Sequence, residues 1–301
     1  MRFTTFKIIF FASIFFFPLS SFSALDTATE EKFCEEIGFK KKTADFGNCV
    51  LSLLGRIPSS KEVPKIGIEV TRAFEAHALV IGNSSYKGAS RLPNPINDAR
   101  AVSIKLRSLG FTVTEVLDAN RTKLVSSLSQ FSQTAATANV TLLFYAGHGI
   151  QVAGTNYMLP IDLDLNDINQ APLQGISLNS VVEQYLPGKT RLVFLDACRE
   201  NPLMMSSSRG ITRGLAPINV SEGTLISYST KDGQVAQDGD GKNSPFTAAL
   251  LEHLGDPDDI AVVLRKVREK VMKSTGGKQQ PWEYGSLTGG ALVLSAIKPI
   301  K

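Results

Sequence analysis

With 301 residues, 43% hydrophobic and 20% charged, the chain has the make-up of an ordinary globular protein, which excludes a disordered or fibrous one. A formal net charge of +4, with no dense block of Lys and Arg, argues against nucleic acid as a partner. After the first two dozen residues, no stretch is long and apolar enough to cross a bilayer.

Arg2 and Lys7 precede an almost purely apolar run, Ile8 to Phe17, which Pro18 ends; Ser21-Phe22-Ser23 then offers small residues at the spacing an export peptidase needs. Residues 1–23 therefore read as a secretory signal peptide, the run being short for about 30 Å of hydrocarbon. Export to a periplasm or out of the cell is expected, with no stable membrane span after cleavage. Loss of Arg2 and Lys7 lowers the 32 basic residues to 30, against 28 acidic ones.

Residues 24–70 form a small N-terminal segment, with a Lys40-Lys41-Lys42 run that reads as a solvated turn and a helix-like stretch from Val50 to Leu54. The chain has three cysteines, Cys34, Cys49 and Cys198. In an oxidising compartment, Cys34 and Cys49 are the natural disulfide pair, and a bridge would help a segment too short to bury a core unaided. None of the three histidines lies near them, which argues against zinc. Cys198 is left over, either buried and inert or reactive.

From Arg72 the pattern alternates strands and helices, and 72–297 reads as one domain. Ala76 to Ile81 is a buried strand ended by Gly82-Asn83; Asn97 to Leu109 has helical spacing and stops at Gly110; Phe111 to Leu117 alternates as a strand; Leu124 to Ala135 is helical. Val140 to Tyr145, Leu192 to Leu195 and Thr224 to Tyr228 read as strands, Val181 to Tyr185 as a helix. Phe246 to Leu254 and Ile260 to Met272 read as helices, and Ala291 to Leu294 as a closing strand. Such alternation makes an α/β fold with a mostly parallel sheet covered on both faces. Sites in these sheets form beyond the carboxyl ends of the strands.

Two chemically loaded loops are expected at such ends. Tyr145-Ala146-Gly147-His148-Gly149 follows one strand, its glycines leaving the imidazole exposed. Asp196-Ala197-Cys198-Arg199-Glu200 follows another, which brings the leftover thiol to the same edge of the sheet. If the two strands are neighbours, His148 can take the thiol proton of Cys198, and the thiolate can attack a carbonyl. The backbone N–H groups of Gly149 and Cys198 could then hold the developing oxyanion. The His precedes the Cys by 50 residues, the spacing found in caspases.

These residues carry a resemblance. Ala78-Leu-Val-Ile-Gly-Asn83, Asn94-Pro-Ile-Asn-Asp98, Phe144-Tyr-Ala-Gly-His-Gly149, Tyr157-Met-Leu-Pro160 and Phe194-Leu-Asp-Ala-Cys-Arg199 resemble the caspase-like cysteine peptidases, above all bacterial homologues and the paracaspase and metacaspase branches. Asn243-Ser-Pro-Phe246 and Gln280-Pro-Trp282 also look like bacterial members. The likeness covers about residues 74–296 and implies a caspase-like three-layer α/β/α sandwich, with His148 and Cys198 as the catalytic pair. The chain reads Asp-Ala-Cys-Arg-Glu where animal caspases read Gln-Ala-Cys-Arg-Gly. In the paracaspase and metacaspase branches the corresponding aspartate, here Asp196, lines an acidic pocket; a second pocket acid matches Asp98 and a third, less closely, Asp238.

Carboxylates around a narrow pocket favour a guanidinium or ammonium, so protein or peptide substrates cut after Arg or Lys are expected. Asp98 also suits the first turn of a helix, and Gln237 to Asn243 also reads as a plain turn. Asp238-Gly-Asp-Gly-Lys-Asn243 resembles the start of an EF-hand, but the twelfth position is Ala249 where a Glu is required. No cofactor is needed for the chemistry, and the family leaves calcium activation open. Arg209 and Arg213, in a polar stretch after Cys198, would suit self-cleavage or simply a loop around substrate. His77 and His253 read as structural, and Trp282 as packing or a groove wall. The alternative function is a caspase-fold binding module with little or no proteolysis. A redox role for Cys198 has no nearby second Cys to support it.

Overall fold

The computed structural model describes residues 28–36, 40–43, 46, 50, 74–86, 91–165, 167, 170–198, 222–231, 236–239 and 241–297. The expected signal peptide, Cys49, most of the stretch from Val50 to Leu54, and Arg209 and Arg213 lie outside them. The chain divides into two units, Met1–Val70 and Thr71–Lys301. In the first, helix α1 (Ala28–Glu36) carries Cys34, which is buried with Phe46 and Val50. Lys40, Lys41 and Lys42 form an exposed turn, as expected, and Lys41 pairs with Glu35 at 3.0 Å.

The second unit runs β1 (Ala76–Gly82), α2 (Pro95–Ser108), β2 (Thr112–Leu117), α3 (Arg121–Thr134), β3 (Val140–Val152), β4 (Thr155–Met158), β5 (Ile176–Ser177), β6 (Thr190–Cys198), β7 (Thr224–Tyr228), α4 (Pro245–His253), α5 (Ile260–Ser274) and β8 (Trp282–Gly285). Between β5 and β6, a helical turn Leu178–Ser180 continues as a π-helix, Val181–Tyr185. The main sheet has the order β2-β1-β3-β6-β7-β8, parallel except for β8.

Period-two alternation sends side chains to two separate cores. From β3, Leu142, Phe144 and Ala146 join Val102 and Leu106 of α2, Phe246 and Leu250 of α4 and Leu264 of α5. Leu143 and Tyr145 join Leu124, Leu128 and Phe131 of α3, with Val181 and Val182. Both faces are covered, so the central strands are almost continuously apolar, as parallel strands must be. The result is the expected three-layer α/β/α sandwich.

The helices start where capping chemistry permits. The Asn120 side chain accepts from Lys123 N–H at 2.9 Å to open α3, and Ser244 accepts from Thr247 N–H at 2.9 Å to open α4. Proline stands in the first turn of both α2 and α4, where its missing N–H costs nothing. Gly82 ends β1 directly beneath α2: a Cβ there would lie 2.4 Å from the Pro95 carbonyl oxygen, so only glycine lets helix and strand approach this closely.

Two sequence expectations are corrected. Ala291 to Leu294 is not a strand; the sheet ends instead with β8, antiparallel to β7. The reason lies in Leu292, whose N–H donates to Asp259 Oδ2 at 2.8 Å and whose carbonyl accepts from Ile260 N–H at 2.8 Å. Both backbone groups serve the start of α5 and leave nothing for a ladder. The segment around His148 is also not a loop. β3 runs through it to Val152, turns at Ala153 and Gly154, both with positive φ, and pairs back antiparallel with β4.

Candidate active site

Central strands β3 and β6 are adjacent and parallel, and their register pairs Ala146 with Asp196 and His148 with Cys198. Neighbouring strands lie about 4.8 Å apart, so the two positions expected to react face each other across one ladder step. Cys198 is the last residue of β6 and not part of a following loop.

His148 is 7% exposed, which overturns the expectation of an imidazole left open by its flanking glycines. Its cover comes from far away in sequence. The Tyr86 ring meets the imidazole edge to face with centroids 4.5 Å apart, and the Tyr86 hydroxyl accepts from His148 N–H at 2.9 Å while donating to the Leu159 carbonyl at 3.0 Å. Tyr145 holds the other side, donating to the His148 carbonyl at 2.6 Å. Two phenols thus clamp the backbone on both sides of the histidine. Gly147 makes this possible: its φ is +154°, and a Cβ would lie 2.7 Å from the Tyr86 hydroxyl and 2.9 Å from that of Tyr145.

Beside this ladder three acids converge. Asp98, in the first turn of α2, is 1% exposed, and its Oδ1 accepts from Asn243 Nδ2 at 2.8 Å and from Ser244 N–H at 3.1 Å. Asp196 is buried on β6; its Oδ2 accepts from the Ser244 hydroxyl and from Thr247 Oγ1 at 2.8 Å. Asp238 is half-buried, its carbonyl accepting from Asn94 Nδ2 at 2.6 Å, while its Oδ2 has no hydrogen-bond partner among the described residues. Asp98 thus stands in the first turn of α2 and also shares Ser244 as a partner with Asp196.

The electrostatics follow from burial, with no cation among the described residues acting on these acids. Burial and then the Asp196 charge push Asp98 up to about 8, against the hydrogen bonds of Asn243 and Ser244. Burial drives Asp196 up to about 6, opposed by hydrogen bonds from Ser244, Thr247 and Ser229, with Asp238 adding repulsion. Burial also raises Asp238, eased by a backbone hydrogen bond from Asn94. These mutual effects place the three carboxylates in one electrostatic site. Their described partners are neutral donors and the N-terminal end of α4, whose dipole favours negative charge. Among the described residues no His, Cys, Asp and Glu group is disposed to hold a metal ion.

Sequence reasoning alone assigns no site role to Asn243, Ser244 and Thr247. A usable signal exists: Ser244 before Pro245 is a helix start, and a cap so placed can also bind a carboxylate. Tyr86 has no such signal. His77 lies on β1, and His253 meets Asp256 at 3.1 Å at the end of α4. Trp282 is 40% exposed, with the Arg268 guanidinium 5.7 Å from its ring centre and Arg268 in turn paired with Glu283.

The caspase domain model matches residues 75–291. The chain is 27% identical over 207 residues to mucosa-associated lymphoid tissue lymphoma translocation protein 1 of Homo sapiens, and equally to its Mus musculus homolog. That match covers 67% of this chain but only 24% of those longer proteins. A crystal structure of a Geobacter sulfurreducens protein superposes with a TM-score of 0.53 at 15% identity, covering 75% of this chain and all of that one, a likeness of fold alone. With the family model spanning most of the chain and the three-layer sandwich beneath it, the chain belongs to the caspase-domain family, at family level one of cysteine-type peptidases acting on protein substrates.

Proposed function

We propose that this protein is an exported cysteine endopeptidase that cleaves after Arg or Lys. Cys198 is the nucleophile: its proton passes to His148, and the thiolate sulfur bonds to the scissile carbonyl carbon. The carbonyl oxygen takes up the electron pair, held by the N–H groups of Gly149 and Cys198. Collapse breaks the C–N bond, with His148 returning the proton to the leaving amine. Water, deprotonated by His148, then hydrolyses the thioester and restores the thiol. Burial of His148 against Tyr86 supports this role, since a clamped ring spends little freedom on reaching its geometry.

The observation that carries the substrate preference is the convergence of Asp98, Asp196 and Asp238 beside the paired His148 and Cys198 positions. Three carboxylates whose described partners are neutral donors have no cation beside them among the described residues, and a substrate guanidinium supplies one with bidentate geometry. A substrate Asp would set a further carboxylate against three that burial already makes costly to ionise. Export rests on the N-terminal sequence, and so does the Cys34–Cys49 bridge, with which the burial of Cys34 agrees.

Fluorogenic peptides ending in Arg, Lys or Asp, with and without calcium and beside Cys198→Ala, test the reading. Cleavage after Arg or Lys that disappears in the variant is expected. Cleavage after Asp alone would remove the pocket assignment, and no cleavage under any condition would turn the assignment to a binding module.

A further inference from the structure

Gln279 lies outside the acid cluster and yet reaches both of its less regular sides. It is fully buried, on the segment leading from α5 into β8. Its Oε1 accepts from Gln237 N–H at 3.1 Å, one residue before Asp238 and 42 positions away in the chain. Its Nε2 donates to the Ser229 carbonyl at 2.8 Å, 50 positions away. Ser229 is itself tied to β6, donating its N–H to the Leu195 carbonyl at 2.9 Å, next to Asp196, and its side chain hydrogen-bonds the Asp196 carboxylate. Gln279 is anchored in turn: its own N–H donates to Thr275 Oγ1 at 3.1 Å, and Thr275 is buried at the end of α5.

A buried amide using both its acceptor and its donor on two separate backbones is a spacer of fixed length. Neither a shorter side chain nor an apolar one of equal length can make both hydrogen bonds, and without them the Gln237 N–H and the Ser229 carbonyl stand unpaired. Asp238 sits on an irregular segment with no ladder to hold it, so its distance from Asp196 depends on such cross-ties. Its other described tie is through Asn94, whose Nδ2 donates to the Asp238 carbonyl at 2.6 Å.

We propose that Gln279 is a positioning residue that sets the separation of Asp238 from Asp196, and thereby the preference of the pocket for a planar guanidinium over an ammonium. The reason is geometric. A guanidinium gains its second hydrogen bond only when two carboxylates stand at a matching spacing, whereas an ammonium is a compact point charge that tolerates a looser site. The inference rests on the basic-residue peptidase reading given above.

The test uses the mature protein, Gln279→Met and Gln279→Glu, with matched Arg and Lys peptides and rates normalised by active-site titration. For Gln279→Met, KM for the Arg peptide should rise about 10-fold with kcat per titrated site within about 2-fold, while KM for the Lys peptide moves less than about 3-fold. Gln279→Glu keeps the acceptor for Gln237 N–H, and should recover part of the Arg preference if Gln279→Met folds poorly. Combined with Asp238→Asn, Gln279→Met should add less than about 2-fold, because its effect passes through that carboxylate. Equal losses on both peptides, or an unchanged Arg-to-Lys ratio in both variants, would overturn the inference. Fluorescence titration of Cys198→Ala with p-aminobenzamidine separates the two levels. If that protein binds the probe and Gln279→Met in the same background binds it equally, the inference fails alone. If it does not bind, and the wild type cuts neither peptide, the peptidase reading fails and takes the inference with it.

Discussion

His148 and Cys198 stand opposite each other in a parallel ladder, whereas Asp98, Asp196 and Asp238 come from a helix turn, a strand end and an irregular segment. The first pair needs only the hydrogen bonds of the sheet to keep its backbone spacing. The acids, which repel one another, are held by a few polar groups: the Asn243 amide and the Ser244 backbone N–H on Asp98, the Ser244 and Thr247 hydroxyls on Asp196, and the Asn94 amide on the Asp238 backbone. The contrast teaches how one edge of a sheet can keep a reaction constant and leave specificity adjustable. On the proposed reading, reaction geometry is built into the ladder, which also carries Asp196, and the adjustable part of selection lies with Asp98 and Asp238, on segments whose few hydrogen bonds can change one at a time.

Breaking the ladder half should have the largest effect. Cys198→Ala should lower kcat by about 10⁴-fold or more in the peptide assay, and His148→Ala by about 10²–10⁴-fold, with both proteins melting within a few degrees of the wild type. Residual cleavage near the wild-type rate in either would move the chemistry elsewhere. Breaking the acid half should act on binding instead. Asp196→Asn should raise KM for an Arg peptide by about 30-fold or more, as loss of one partner of a buried charge pair costs about 2–5 kcal/mol. If kcat falls and KM holds, Asp196 belongs with the dyad and the contrast is drawn in the wrong place.

The Tyr86 clamp belongs to the ladder half although Tyr86 lies outside the strands. Tyr86→Phe keeps the ring against His148 and loses the hydroxyl that bonds His148 N–H and the Leu159 carbonyl. Unpairing buried groups costs about 1–3 kcal/mol, so kcat should drop by about 10-fold with KM unchanged. A change confined to KM would assign Tyr86 to substrate binding.

The smallest effect is on stability, and its sign separates a functional acid from a structural one. Asp98 has its folded value raised from 3.8 to about 8. Between those values the unfolded chain has lost the proton and the folded chain keeps it, so stability falls as pH rises through that window and levels off above it. Below 3.8 both states hold the proton and the group contributes nothing. Asp98→Asn keeps the acceptor for Asn243 and Ser244 and removes the titration. It should melt about 5 °C or more above the wild type at pH 8, the gap closing towards pH 4, while losing affinity for Arg peptides. In the wild type, KM for the Arg peptide should improve as pH rises from 6 to about 8, more steeply than in Asp98→Asn. A variant that melts lower at pH 8 would make Asp98 a stabilising group and not one retained at a cost for function.

Much of this was legible in the amino-acid order. Strand and helix positions followed from periodicity because the sheet is covered on both faces, so burial is dense and the apolar runs are long. That His148 and Cys198 stand at one edge of the sheet was legible because both follow apolar runs that read as strands of one direction; that those strands are neighbours, and so pair the two positions, is seen only in the sheet itself. Asp98 and Asp196 were legible through the family likeness. What could not be read locally depends on interactions over long sequence separation. Whether Ala291 to Leu294 forms a strand turns on Asp259 and Ile260 claiming the Leu292 backbone first. Whether His148 is exposed turns on Tyr86, 62 residues away. Which polar groups surround the three acids turns on Ser244 contacting two of them and on Gln279 hydrogen-bonding two distant chain segments. Local pattern sets which face of an element is apolar and what chemistry each residue carries. Which polar groups meet, and so how burial shifts their protons, is decided only when distant segments are packed against one another and water is excluded.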